Sequence, residues 1–159
     1  MQIVPAERKD AALLASLVSK SNKDVAELLN LNIDNAPKHP SLCTAEWIIS
    51  DFDRGQEFFF SIENGEITGC VAFEQPDDDT AYLNRLSVSP EFRQSGTGSL
   101  LVQHIIEYSK FKNVKNISIG IIAEHTLLKE WYLKIGFIEG ATQKFDHLPF
   151  NVLYMKYEV

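Results

Sequence analysis

Two groups of residues in this chain have the types and spacing to do chemistry. The first is Arg93-Gln94-Ser95-Gly96-Thr97-Gly98, which follows the strand-like run Leu83-Asn84-Arg85-Leu86-Ser87-Val88 and the step Ser89-Pro90. An amphipathic helix pattern starts immediately after Gly98. A helix start offers unpaired backbone N–H groups at the positive end of its dipole, and glycine lets the backbone come close to a ligand. Strand, glycine-bearing turn and helix in that order suit an anionic phosphate group. The second group runs from His125 through Leu128 and Tyr132 to Gly136-Phe137. At helical spacing Leu128 and Tyr132 share a face. The plainer alternative for Tyr132 is an aromatic core residue, which is also how Trp131 beside it reads.

Two well-known phosphate motifs fail against the glycine turn. A P-loop ends in Gly-Lys-Ser/Thr, whereas Gly98 is followed by Ser99 and Leu100. A dinucleotide fingerprint needs a small residue where Leu101 stands, within a parallel βαβ unit. Here a hairpin-bearing meander precedes the strand instead.

The pattern does resemble the N-acetyltransferase superfamily of the GNAT type. Its signature Arg/Gln-x-x-Gly-x-Gly/Ala after a strand is matched by Arg93, Gly96 and Gly98, and Leu86-Ser87-Val88-Ser89-Pro90 resembles the family's approach to the turn. A second family signature, Asn-x-x-Ala-x-x-x-Tyr-x-x-x-Gly-Phe, is met with intact spacing by His125, Leu128, Tyr132, Gly136 and Phe137. His125 replaces the usual asparagine, and Leu128 the usual alanine; the added bulk either narrows the cofactor channel or fills core. The resemblance covers the chain from about Phe58 onward.

That resemblance implies acetyl-coenzyme A as donor and a primary amine as acceptor. The pyrophosphate would sit on the N–H groups of Gln94, Ser95, Gly96, Thr97, Gly98 and Ser99, with Arg93 adding backbone or charge. The pantetheine arm would run along the backbone of Leu86, Ser87 and Val88 where the family's sheet splays, and an N–H near Leu86 would polarise the thioester carbonyl. His125 would keep a ligand contact. Tyr132 would be the general acid that protonates the departing thiolate. For the base, Glu74 and Glu124 are candidates beside a water chain ending on backbone carbonyls. His147, in the loop before the last strand, lies where the family lines its acceptor pocket. The histidines and cysteines show no metal-ligand spacing, so no metal is expected.

The elements that must position these residues are legible in outline. Ala11, Leu14, Leu17 and Val18 fall at helical spacing, and a second short helix carries Val25, Leu28 and Leu29 behind Ser21 as N-cap. Asn32 to Pro40 reads as a loop. Thr44 caps a helix with Trp47, Ile48 and Phe52 that stops near Gly55. Phe58–Glu63 and Ile67–Phe73 are strands joined by the hairpin signal Asn64-Gly65, and a third strand from about Ala81 to Val88 completes a meander. There follow a helix to about Lys110, a strand over Val114–Ile122, a helix from Thr126 to Lys134, and strands around Phe137–Phe145 and Asn151–Tyr157. This order implies an α/β (α+β) fold: a mixed, mostly antiparallel twisted sheet of about six to seven strands flanked by helices, GNAT-like, in one domain over residues 1–159.

Composition narrows the function classes. With 22 acidic against 15 basic residues and a net charge of −7, the chain is not built to attract nucleic acid or anionic membrane. An acidic surface is compatible with a cationic acceptor such as an amine. Two cysteines make no disulfide framework, no apolar run spans a bilayer, and the start lacks a signal-peptide core, which together point to the cytoplasm. The expected partner is a small-molecule amine; the family's frequent dimers leave a homodimer open. Two other readings of the same scaffold stay open: a non-catalytic acyl-coenzyme A sensor, and an acetyltransferase of protein N-termini or lysines.

Overall fold

A computed structural model describes residues 1–159. The strands are β1 (Gln2–Pro5), β2 (Glu57–Glu63), β3 (Glu66–Glu74), β4 (Thr80–Val88), β5 (Asn116–Ile122), β6 (Ile138–Lys144) and β7 (Asn151–Glu158). The helices are α1 (Ala11–Ser21), α2 (Lys23–Leu28), α3 (Ala45–Asp53), α4 (Thr97–Phe111) and α5 (Thr126–Ile135). The strands form one 7-stranded sheet in the order β1-β2-β3-β4-β5-β7-β6, as the mixed-sheet reading requires. Only β4 and β5 pair in parallel, and α4 supplies the crossover between them.

Alternation along the central strands divides the core between the two faces of the sheet. Phe58 and Phe60 of β2, with Cys70 and Ala72 of β3, pack against Leu14 and Val18 of α1 and Ile48 of α3. Phe59, Val71 and Phe73 face the other way, onto Leu101, Val102, Ile105 and Ile106 of α4 and Tyr132 of α5. Each fully buried Phe, Leu or Ile contributes about 1.5–3 kcal/mol, so these two layers fix the helices against the strands. The helix of Thr44 forms as its sequence predicts, with Thr44 Oγ1 accepting from Trp47 N–H (3.4 Å).

Three local readings need correction. β1 was not anticipated: four residues ending in Pro5 are too few to show a period, and they gain strand form only by pairing with Phe59–Ile62 of β2. Ser21 does not cap the second helix. It ends α1, and Asn22 takes the junction, its Nδ2 donating to Val18 O (2.8 Å). Trp131 is not simply core, since its ring lies against Gly98 in a cleft.

The feature that matters for function is where the sheet comes apart. β4 and β5 pair from Thr80↔Asn116 to Tyr82↔Ser118 and no further. Beyond that point Leu83–Val88 and Ile119–Ile122 diverge, and a cleft of about 1000 Å³ opens between them.

Candidate active site

The wall of the cleft on the β4 side is shaped by a bulge. Cys70 pairs with Ser87 and Ala72 with Asn84, so Arg85 and Leu86 together oppose Val71. Arg85 takes a left-handed conformation (φ 55°), which costs a non-glycine residue about 1–2 kcal/mol. Its carbonyl leaves the strand ladder and accepts from Ser87 Oγ (3.1 Å) and Cys70 Sγ (3.7 Å). Leu86 and Val88 line the cleft, whereas the Ser87 side chain is buried behind it.

At the end of β4 the chain makes its glycine turn. Gly96 sits at φ 88°, a conformation suited to glycine, and caps α4. Arg93 N–H bonds to Pro90 O and Leu100 N–H to Gly96 O, while the N–H groups of Gln94, Ser95, Gly96, Thr97, Gly98 and Ser99 have no acceptor in the chain. Such a run of free donors at a helix start is an anion cradle. Gly98 keeps it open: a Cβ there would lie 3.3 Å from Trp131 Cζ2. Gln94, Gly96, Gly98 and Ser99 line the cleft. The side chains of Ser95 and Thr97 do not; they bond to each other, leaving only their backbone to the cradle.

Arg93 differs from the expectation. Its guanidinium donates to Asp24 Oδ2 (2.6 Å) and to Ser21 O (2.6 Å), so its charge is engaged in clasping α1 and α2 to the turn. The hydrogen bond from Arg93 holds the Asp24 carboxyl below its ordinary pKa.

On the opposite wall, α5 presents His125, Leu128, Trp131 and Tyr132. His125 Nδ1 accepts from Leu128 N–H (3.3 Å), capping the helix, which leaves Nε2 as the ring's donor. Tyr132 is 4% exposed, yet its hydroxyl makes no hydrogen bond within the chain and is not sealed from the cleft. Burial pushes its pKa above the ordinary 10.0, so the phenol keeps its proton at neutral pH.

The carboxylate candidates for a base fall outside. Glu74 does not line the cleft; it accepts from Asn84 Nδ2 (3.2 Å) and stands behind that residue. Glu124 accepts from Asn151 N–H (3.0 Å) and pins the start of β7. His147 is exposed against Phe145, although Leu148 and Phe150 of the same loop do line the cleft. Cys43 and Cys70 are free, buried and away from the cleft; burial pushes the Cys70 thiol to about 12.

Sequence reasoning missed the residues on the α1–α3 side: Lys38, His39, Arg54, Gln56 and Arg85. His39 is 7% exposed, and its Nδ1 accepts from Ser41 N–H (3.2 Å). Desolvation lowers its pKa. Asp51, 1% exposed on α3, holds Arg85 Nε through Oδ2 (3.0 Å) and Arg54 Nη2 through Oδ1 (3.0 Å). No periodicity marks such a group, because its members are distant in sequence.

Residues 24–137 match the acetyltransferase (GNAT) family, spanning both the cradle and the Tyr132 helix. The chain belongs to that family. Among curated relatives, N-acetylaspartate synthetase of Danio rerio is 26% identical over 117 residues, covering 66% of this chain and 42% of that protein. Amino-acid acetyltransferase of Vibrio atlanticus is 28% identical over 88 residues, covering 55% of this chain and 18% of that protein. The chain thus spans less than half the length of these relatives. The fold matches the ribosomal-protein-S18-alanine N-acetyltransferase of Escherichia coli with a TM-score of 0.80 at 15% identity, over 99% of this chain and 93% of that one. A GNAT family acetyltransferase of Elizabethkingia anophelis with acetyl-CoA bound matches with a TM-score of 0.74 at 18% identity, over 99% and 97% of the two chains.

This GNAT chain fits the family's co-substrate, acetyl-CoA. The free N–H groups of Gln94–Ser99 meet the need of a pyrophosphate, and the unpaired edge of β4 beyond Tyr82 is long enough to take an extended arm. No helix of the chain is long and apolar enough to cross a membrane.

Proposed function

We propose that the chain is an N-acetyltransferase that moves an acetyl group from acetyl-CoA to a primary amine of a small molecule by direct attack. The observation that carries this reading is the Tyr132 hydroxyl, which keeps its proton, has no partner in the chain, and belongs to a residue lining the same cleft as Leu86 and Val88 of β4. Bound acetyl-CoA supplies an activated thioester. The cradle over Gln94–Ser99 holds the phosphates, and the backbone of Leu86 and Val88 aligns the arm. The Leu86 N–H, set apart from the β3 ladder by the bulge, polarises the acetyl carbonyl as negative charge develops on its oxygen. Tyr132 donates its phenolic proton to the departing sulfur. The amine's proton leaves through water and backbone carbonyls, since the cleft's single carboxylate, Asp24, is paired with Arg93. With both thiols buried outside the cleft, no acyl-enzyme on cysteine competes with direct attack.

Thiol release from acetyl-CoA in the presence of small amines and amino acids tests the reading. Amine-dependent release with formation of the N-acetyl product supports it. Tight binding of acetyl-CoA with no acceptor turned over makes the chain a non-catalytic acyl-CoA binder instead.

A further inference from the structure

A net charge of −7 is compatible with a cationic acceptor, but the lining of the cleft is basic. Its lining carries Lys38, Arg54, Arg85 and Arg93 against Asp24 alone. Asp24 is matched by Arg93, and buried Asp51 stands behind Arg54 and Arg85. That leaves an excess of positive charge where Lys38, Arg54 and Arg85 meet. These residues lie on the α1–α3 face of the sheet, whereas the cradle opens α4 on the other face. The excess therefore is not part of the phosphate cradle.

Arg85 is the centre of this group. Only its Nε is used by the protein, toward Asp51, and the two Nη groups have no partner in the chain. Asp51 and the left-handed bulge fix the guanidinium plane, with Trp47 beneath it at 5.9 Å. Lys38 Nζ, also without a hydrogen-bond partner, lies 5.8 Å from the same Trp47 ring. His39 adds a neutral ring whose Nδ1 accepts from Ser41, so its Nε2 carries a proton to donate. A fixed guanidinium with free Nη donors, a second cation and a neutral N–H donor match a planar carboxylate.

The geometry points to an acceptor that bears a carboxylate as well as its amine: an amino acid or a compound of that class, anchored by Arg85 and Lys38. This deepens the acetyltransferase reading and rests on it for the amine. The same cations disfavour the ammonium form, so the amine is delivered closer to its neutral, nucleophilic state. A simple amine or polyamine would meet repulsion and leave Arg85 unsatisfied.

The test pairs L-amino acids (alanine, aspartate, glutamate) and a dipeptide with their carboxamides. Binding to the CoA-loaded protein and turnover with acetyl-CoA are both measured. Acids are expected to bind about 10- to 100-fold more tightly than their amides, the range for hydrogen bonds to a charged group. Arg85→Gln should abolish the preference. Because that variant also weakens the hold on buried Asp51, Arg85→Lys keeps the ion pair and removes only the paired donors. It should raise the KM of the acids about tenfold while leaving that of the amides in place. Acids that bind selectively but are not acetylated uphold the anchor and sink the proposed reaction. Amides bound or acetylated as well as acids, or no acid bound at all, overturn the anchor.

Discussion

Where the cleft meets α4 its anion site is made of backbone, and where it meets α1 and α3 its charge is carried by side chains. The first end uses the N–H groups of consecutive residues, Gln94 to Ser99, opened by glycines. It needs no side-chain charge, and the one arginine of the turn is engaged with Asp24. The second end gathers Lys38, Arg54 and Arg85 from three separate segments of the chain and orients two of them on a buried carboxylate. A backbone cradle suits a ligand group common to a whole family, because its geometry follows from the turn. A side-chain anchor can change one residue at a time, which suits the choice of acceptor.

The largest expected effect lies between the two ends. Tyr132→Phe should lower kcat by about a hundredfold or more, the range for a general acid, with little change in acetyl-CoA affinity. Single-turnover thiol release checks it; an unaltered chemical step would remove the tyrosine from the mechanism. Next comes the cradle. Gly98→Leu drives a side chain into Trp131, which a Cβ alone would approach to 3.3 Å. The added side chain also fills the space onto which the free N–H groups open, so coenzyme A affinity should drop about tenfold or more by calorimetry. If the affinity holds, the turn does not carry the phosphates.

The smallest effect separates the acceptor end from ordinary core. Burial lowers the pKa of His39, in the cleft, and of His104, whose Nε2 is buried without a partner against Phe59. Both are neutral when folded, and below their ordinary 6.5 the unfolded chain takes up protons that the folded chain refuses. Stability should therefore be full above that pH and decline as pH falls through it, as read by urea unfolding. His104→Phe should flatten part of the decline without touching acceptor binding. An equal slope in that variant assigns the effect elsewhere.

The same contrast explains what could be read in advance. The cradle and the Tyr132 helix are local: Arg93 to Gly98 and His125 to Phe137 carry spacing that survives in a linear string. The sheet was legible because Asn64-Gly65 and the apolar alternation of its strands are also local signals. β1 was not, since it becomes a strand only by lying against β2. The acceptor end was hidden for a related reason. Arg85 reads as one strand residue among others until a bulge turns it over and Asp51, distant in sequence, fixes it. Glu74 is a candidate base from its place at the end of β3, the strand preceding β4, but its side chain bonds to Asn84 and does not line the cleft. Net charge carries no information about the cleft, because the chain has a surplus of acid while the cleft lining is basic.

The division of the cleft can be observed directly by following backbone amide and arginine Nε signals in NMR while coenzyme A and then an amino acid are added. Coenzyme A alone should move the amides of Gln94 to Ser99 and leave Arg85 Nε in place, and the amino acid should then move Arg85. If Arg85 shifts with coenzyme A alone, or the amides of the turn stay still, the two ends do not divide the work in this way.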